Sequence, residues 1–182
     1  MEKFLAENKD AIIKRWLDLI VGAYPADAAQ FYKREKDPFA NPVGTTIARE
    51  IATIYDELLG GMEYQNLYGP LDHIVRIRAV QDFTPANALG FVFLLKKAVR
   101  DELAASGQEP ADFKALLEFE GRIDQTALLA FEIYMGCREQ IWQLKANELK
   151  NRTIKLLERT NLFVEEADRE MDKGDSKEGK GK

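Results

Sequence analysis

Leu128, Met135, Trp142, Leu149, Leu156 and Phe163 stand seven residues apart. Seven residues are close to two turns of α-helix, so the six side chains share one helix face over about ten turns. A strand cannot use this spacing, because its period of two sends alternate members to opposite faces. Ala146, Thr153 and Thr160 follow members of the stripe by four, and Arg138, Lys145, Arg152 and Arg159 follow by three. An apolar seven-residue repeat beside charged positions is the pattern of a helix pair or coiled coil. Two readings stand: the helix packs on its own bundle, or its distal part pairs with a second copy or a partner. Trp142, Leu149, Leu156 and Phe163 are the interface candidates.

The rest of the chain reads as helices that such a long helix could join. Phe4, Leu5, Ile12, Ile13, Trp16, Leu17 and Ile20 recur at three- and four-residue steps and predict one helix from Glu2 to Val21. Thr45 or Thr46 can cap a helix carrying Ile47, Ile51, Ile54, Leu58 and Leu59, which stops at Gly60-Gly61. A further helix covers Leu71 to Val80, after a break expected at Gly69-Pro70. Thr84 followed by Pro85 marks the start of the next, which ends at Gly107. Gly90 inside it suggests a close helix crossing. The last helix begins near Pro110. From Glu165 onward charge and glycine dominate, and no apolar residue follows Met171, so residues 165–182 are expected to be a disordered tail. The fold class is an all-α helical bundle with a long C-terminal helix. The expected division is a helical domain over 1–145, a helical extension over 146–164 and the tail.

Composition narrows the function. The chain has 182 residues, of which 46% are apolar, enough for a core without a disulfide or metal staple. A formal net charge of -5 argues against general binding to nucleic acid or an anionic membrane. The longest apolar run, "ALGFVFLL", is too short to span a bilayer, and the charged N-terminus has no signal-peptide core. With one cysteine, Cys137, no internal disulfide forms, and a cytoplasmic setting is expected.

Few residues invite chemistry. His73 is the only histidine, and no Glu stands three positions before it, so the di-iron pattern is missing. A haem or metal role for it is the sharp reading, and a partly exposed helix histidine the ordinary one. Cys137, beside Arg138, reads either as a thiol activated by a cation or as a small buried apolar group. Arg76 and Arg78 are two apart and so point to different helix faces; each could pair with Asp72, Asp82 or a bound anion. No nucleophile–base set can be assembled, so an enzyme is not expected, and no cofactor is called for.

The passage "YPADAAQFYKREKDPFANPVGTTI", residues 24–47, interrupts this helical text with Pro25, Pro38 and Pro42. Phe39 and Val43 are expected to dock on the bundle as a lid over the core end or over a ligand pocket. Together with "RIRAVQDFTPANALGFVFLLKKAVRDEL", the block "DPFANPVG" resembles the N-terminal domain of RsbRD-type regulators over roughly residues 10 to 140. These are co-antagonists in the bacterial general-stress sigma-factor pathway. The resemblance implies a helical, non-catalytic, often dimeric sensory module, related to a globin-like sensor fold that binds no haem. It implies partners of the STAS or switch-kinase type, acting here in trans, since neither motif follows the long helix. The expected ligand-binding residues lie near the proline-rich passage and the "RIRAVQDF" junction: Tyr24, Phe39, Asn41, His73, Arg76 and Arg78. A scaffold subunit of a larger redox or membrane-associated complex is the alternative.

Overall fold

The structure, a computed structural model, describes residues 1–35, 37–81, 83–107 and 113–175, with side chains through residue 160. Among the described residues all regular structure is helical. The helices are α1 Glu2–Glu7, α2 Lys9–Val21, α3 Ala26–Arg34, α4 Pro42–Gly60, α5 Tyr64–Val80, α6 Pro85–Ala105 and α7 Phe113–Asp175. The chain divides into two units, Met1–Arg138 and Glu139–Lys182.

The first unit is a bundle whose apolar faces follow the expected spacings. Ile12, Trp16 and Ile20 form the inner edge of α2, all fully buried, and α2 packs on α6 and α4. Ile47, Ile51, Ile54, Tyr55 and Leu58 do the same for α4. Leu116, Phe119, Ile123, Ala127, Ala130 and Cys137 bury the core side of α7. Several polar groups that enter this core find partners. Trp16 Nε1 donates to the Phe91 carbonyl at 2.7 Å, and the Tyr55 hydroxyl donates to the Leu5 carbonyl at 2.9 Å. Arg122 Nη1 donates to the Leu58 carbonyl at 2.8 Å, closing the last turn of α4. Arg100 grips Glu120 through two 2.7 Å bonds.

Several boundaries differ from the sequence reading. The expected first helix is two, because Asn8 leaves helical geometry and its side chain donates to the Phe4 carbonyl at 2.9 Å, an alternative to continuing the helix. Pro70 lies inside α5 and does not break it. The missing N–H and the ring clash act locally, whereas Leu67, Leu71, Ile74 and Val75 are fully buried around it and hold the helix together. The α4 cap is Asn41 with Pro42 at the first helical position, upstream of both threonines; Thr45 instead donates to the Asn41 carbonyl at 2.7 Å. A Cβ at Gly90 would meet nothing within 4 Å, so no close crossing requires that glycine. α7 continues to Asp175, into the stretch from 165 expected to be disordered. Glu, Ala, Arg and Met prolong a helix already nucleated upstream. Its starting turn near Pro110, the side chain of Phe163 and residues 176–182 lie outside the described residues.

Two outcomes follow from this core. Trp16→Ala removes a fully buried ring and its hydrogen bond, and is expected to destabilise the protein by about 3–5 kcal/mol. Urea unfolding checks this, and an unchanged midpoint would contradict the packing described. Burial raises the pKa of Tyr55 and of Tyr24 above the ordinary 10. Each phenol therefore binds its proton more tightly folded than unfolded. That contribution is complete below pH 10 and is lost as pH climbs above it, so the unfolding midpoint should fall steeply from pH 10 upward.

Candidate functional site

The proline-rich passage folds around one side chain. Asn41 is 1% exposed. Its Nδ2 donates to the Tyr32 carbonyl at 3.1 Å and the Glu35 carbonyl at 2.8 Å, while its Oδ1 accepts from Gly44 N at 2.8 Å. One amide thus ties the end of α3 to the start of α4. A Cβ at Gly44 would come within 2.4 Å of that amide, so glycine is needed there. Phe39 does not dock as a lid: it is 97% exposed, at a turn where its N–H donates to Asp37 Oδ1 at 3.0 Å. The Asp-Pro turn fixes the backbone and turns this side chain outward. Val43 does pack against the core. The sequence reading also missed α3, which contains no buried residue. Its only local signals are "ADAA" directly after Pro25 and the basic pair Lys33-Arg34 at its end.

Asn41 positions α3, and α3 places Tyr32 edge-on against Tyr24, with ring centroids 5.1 Å apart. Tyr24 in turn meets Phe83 edge-on at 5.2 Å, and its hydroxyl bonds Gln81 Oε1 at 3.2 Å. Behind these rings lies Arg78, 1% exposed. Its guanidinium carbon is 4.8 Å from the Phe83 ring centroid, 5.3 Å from Tyr24 and 5.6 Å from Phe91. Nη2 donates to the Asn87 carbonyl at 3.2 Å. Nε and Nη1 are buried and meet no acceptor among the described residues. Three ring faces offset part of the desolvation of this cation, but they accept no conventional hydrogen bond. Burial lowers the Arg78 pKa from its ordinary value, with Tyr24 acting the other way.

The remaining candidates sit elsewhere on α5. Nδ1 of His73 is 3.0 Å from Oε1 of the buried Glu50, which also takes two bonds from Arg49, the shorter 2.6 Å. Arg76 is exposed and paired with Asp72 at 2.6 Å, leaving Asp72 Oδ1 buried without a partner among the described residues. Arg76 and Arg78 thus take different faces, and only Tyr24 and Arg78 of the expected six come into direct contact. Burial raises the pKa of Cys137, and the cation that partly opposes it is Arg76 rather than its neighbour Arg138. The thiol is therefore protonated at neutral pH and poorly nucleophilic. Among the described residues no cluster of metal-ligating side chains occurs. A groove of about 550 Å³ between α2 and α6 carries Arg15–Glu102 and Lys97–Asp101 pairs, so its charges cancel internally.

In the unit Glu139–Lys182, Trp142, Leu149 and Leu156 are 61%, 67% and 63% exposed. Lys145 Nζ lies 5.5 Å from the Trp142 ring centroid. Within the bundle, Leu128 and Met135 of the same stripe are also exposed, so the stripe does not build the bundle core.

The Arg78 arrangement makes a stability prediction. Replacing a buried, incompletely bonded cation by an apolar chain of similar length removes its desolvation penalty. Arg78→Met is expected to be neutral or stabilising, by up to about 4 kcal/mol. Thermal unfolding checks this; a marked loss of stability would mean that the guanidinium is fully satisfied.

The family model for the RsbT co-antagonist protein rsbRD N-terminal domain matches residues 10–149, well over half of the 182. That span holds α3 to α6 entire, the Asn41 staple and the whole Arg78 cluster. No curated protein and no solved structure matches the chain. Among the described residues no helix is long and apolar enough to cross a membrane. By its sequence match and its all-helical architecture, the chain belongs to the RsbT co-antagonist rsbRD N-terminal domain family, a family of stress-signalling regulatory domains.

Proposed function

We propose that this chain is a non-enzymatic, cytoplasmic sensor or adaptor. A small ligand or protein group engages the bundle at Arg78, and α7 carries the change to a protein partner. The observation that supports the reading best is the pair of donors, unmet among the described residues, on a guanidinium that is 1% exposed. A ligand bearing acceptor atoms would satisfy Nε and Nη1, and it would bind only an arrangement in which the Tyr24–Gln81 contact has opened. That supplies the difference in affinity between two states without which no signal exists. α7 is the covalent route: residues such as Phe119 and Ile123 are part of the core, and the same helix runs on through the proposed extension at 146–164. The lone histidine is engaged by Glu50 and the lone thiol is buried, which supports a role without catalysis.

The test is gentle purification of the tagged chain from its own cell, as wild type and as Arg78→Met, with quantitative mass spectrometry. Co-purification of STAS-type proteins or a switch kinase is expected, changed at least several-fold in the variant. Equal recovery by both forms would remove Arg78 from the sensing role. Stoichiometric recovery of a metabolic or membrane complex instead would replace the sensor by the scaffold reading.

A further inference from the structure

The unit Glu139–Lys182 carries a seam with a definite shape and charge. Trp142, Ala146, Leu149, Thr153, Leu156 and Thr160 alternate at steps of four and three, large then small. The three large residues are mostly exposed. The Thr153 and Thr160 hydroxyls donate to the Leu149 and Leu156 carbonyls at 2.9 and 2.8 Å, so these positions offer an apolar partner no unmet donor. One border of the seam is basic throughout: Lys145, Arg152 and Arg159. The other border holds Gln143, Lys150 and Leu157. Glu148 and Glu158 lie away from the seam, although Arg152 reaches back to Glu148 at 2.6 Å on its exposed flank.

Shape alone would admit a second copy, because large residues of one helix could fill the small positions of the other. Charge decides against it. In a parallel pair the two borders face each other, setting Lys145 against Lys150. In an antiparallel pair the basic border faces itself, cation against cation. Neither arrangement forms an opposite-charge pair among these border residues.

We infer that residues 142–160 are a docking surface for an amphipathic helix of a partner protein whose apolar stripe is flanked by acidic residues. Such a helix would insert large apolar side chains at Ala146, Thr153 and Thr160 and meet Lys145, Lys150, Arg152 and Arg159 with carboxylates. The inference deepens the adaptor reading by naming the chemistry of its partner, and its test does not involve Arg78.

The probes are two four-heptad peptides with leucine at both seam positions, one with glutamate at all border positions and one with lysine. Like charge at the borders opposes self-association of each, and each is used at a concentration where circular dichroism shows it unfolded alone. Titrated into the full chain, the glutamate peptide should bind, gain helical circular dichroism, and do so about tenfold more tightly than the lysine peptide, with the difference shrinking in high salt. Leu149→Glu with Leu156→Glu should abolish binding. Lys145→Glu with Arg152→Glu should reverse the preference. All four positions are exposed, and circular dichroism of each variant verifies its fold. Equal binding of both peptides, or of neither, would overturn the inference. So would a chain that sediments as a dimer and becomes monomeric on Leu149→Glu, which would assign the seam to a second copy. Failure here with Arg78-dependent partner recovery intact would reject only this surface, and the converse result would reject only the sensing site.

Discussion

One turn of α6, from Asn87 to Phe91, holds the bundle and its odd residue together. The Phe91 carbonyl takes the Trp16 indole proton, fixing α2 on α6 where both are fully buried. The Phe91 ring covers one side of the Arg78 guanidinium, and the Asn87 carbonyl takes its Nη2. The same few residues therefore serve both a buried indole hydrogen bond and a buried guanidinium with two donors unmet among the described residues. A helix anchored by a buried tryptophan has little freedom to adjust to the arginine. The guanidinium is accommodated instead by side chains from other segments, Tyr24 and Phe83, which close over it from outside α6.

The other buried charges follow a different rule. Glu50 has the His73 ring and the Arg49 guanidinium, and Glu120 has both ends of a bidentate arginine. Each lies at the rim, where its partner stays largely exposed and the desolvation of the pair is incomplete. Arg78 alone among the described cations is taken fully inside with aromatic faces in place of a carboxylate. Each of the three rings offsets part of the several kcal/mol that burying an ion costs, but none accepts the conventional hydrogen bonds that Nε and Nη1 would make. These unmet donors set Arg78 apart from the paired charges, and they are the physical reason for proposing the sensing role there rather than at His73 or Arg76.

Helical periodicity and the Thr84-Pro85 start were legible because they are local: a buried face repeats with the helix, and a cap needs only its own turn. The misreadings arose where distant residues overrule local rules. Pro70 reads as a break until Leu67 and Leu71 are seen to be buried on either side of it. Asn41 reads as a turn residue until its amide is found to hold two carbonyls of the preceding segment. Phe39 is apolar, and although Asp37-Pro38 beside it marks a turn, the sequence does not say that the turn carries the ring into solvent rather than onto the core. At the site, the residue types around Tyr24 and Arg78 were readable, yet 54 positions separate them, and Tyr24 is backed by Tyr32 of α3, a helix with no core signature of its own. The resemblance to the rsbRD N-terminal domain was legible because "DPFANPVG" and "RAVQDFTPANALGFVFLLKK" are long, paired blocks, and these blocks are the ones that build the Asn41 staple and the Arg78 cage.

α7 shows why apolar spacing must be read together with what lies between. Over Leu116, Phe119, Ile123, Ala127 and Ala130 the apolar residues recur at three and four, and the side chains are buried. Over Trp142, Leu149 and Leu156 the intervening seam positions shrink to alanine and threonine, and the large residues are exposed. A helix with one large residue per heptad has too little apolar surface to hold a bundle by itself, yet it presents holes of defined spacing along one line. Such a surface gains stability only when a partner supplies the missing large residues, and the cations beside it restrict which partner can do so. The weakness of the seam as a core and the selectivity of the interface inferred for it thus have one origin, the small residues at 146, 153 and 160.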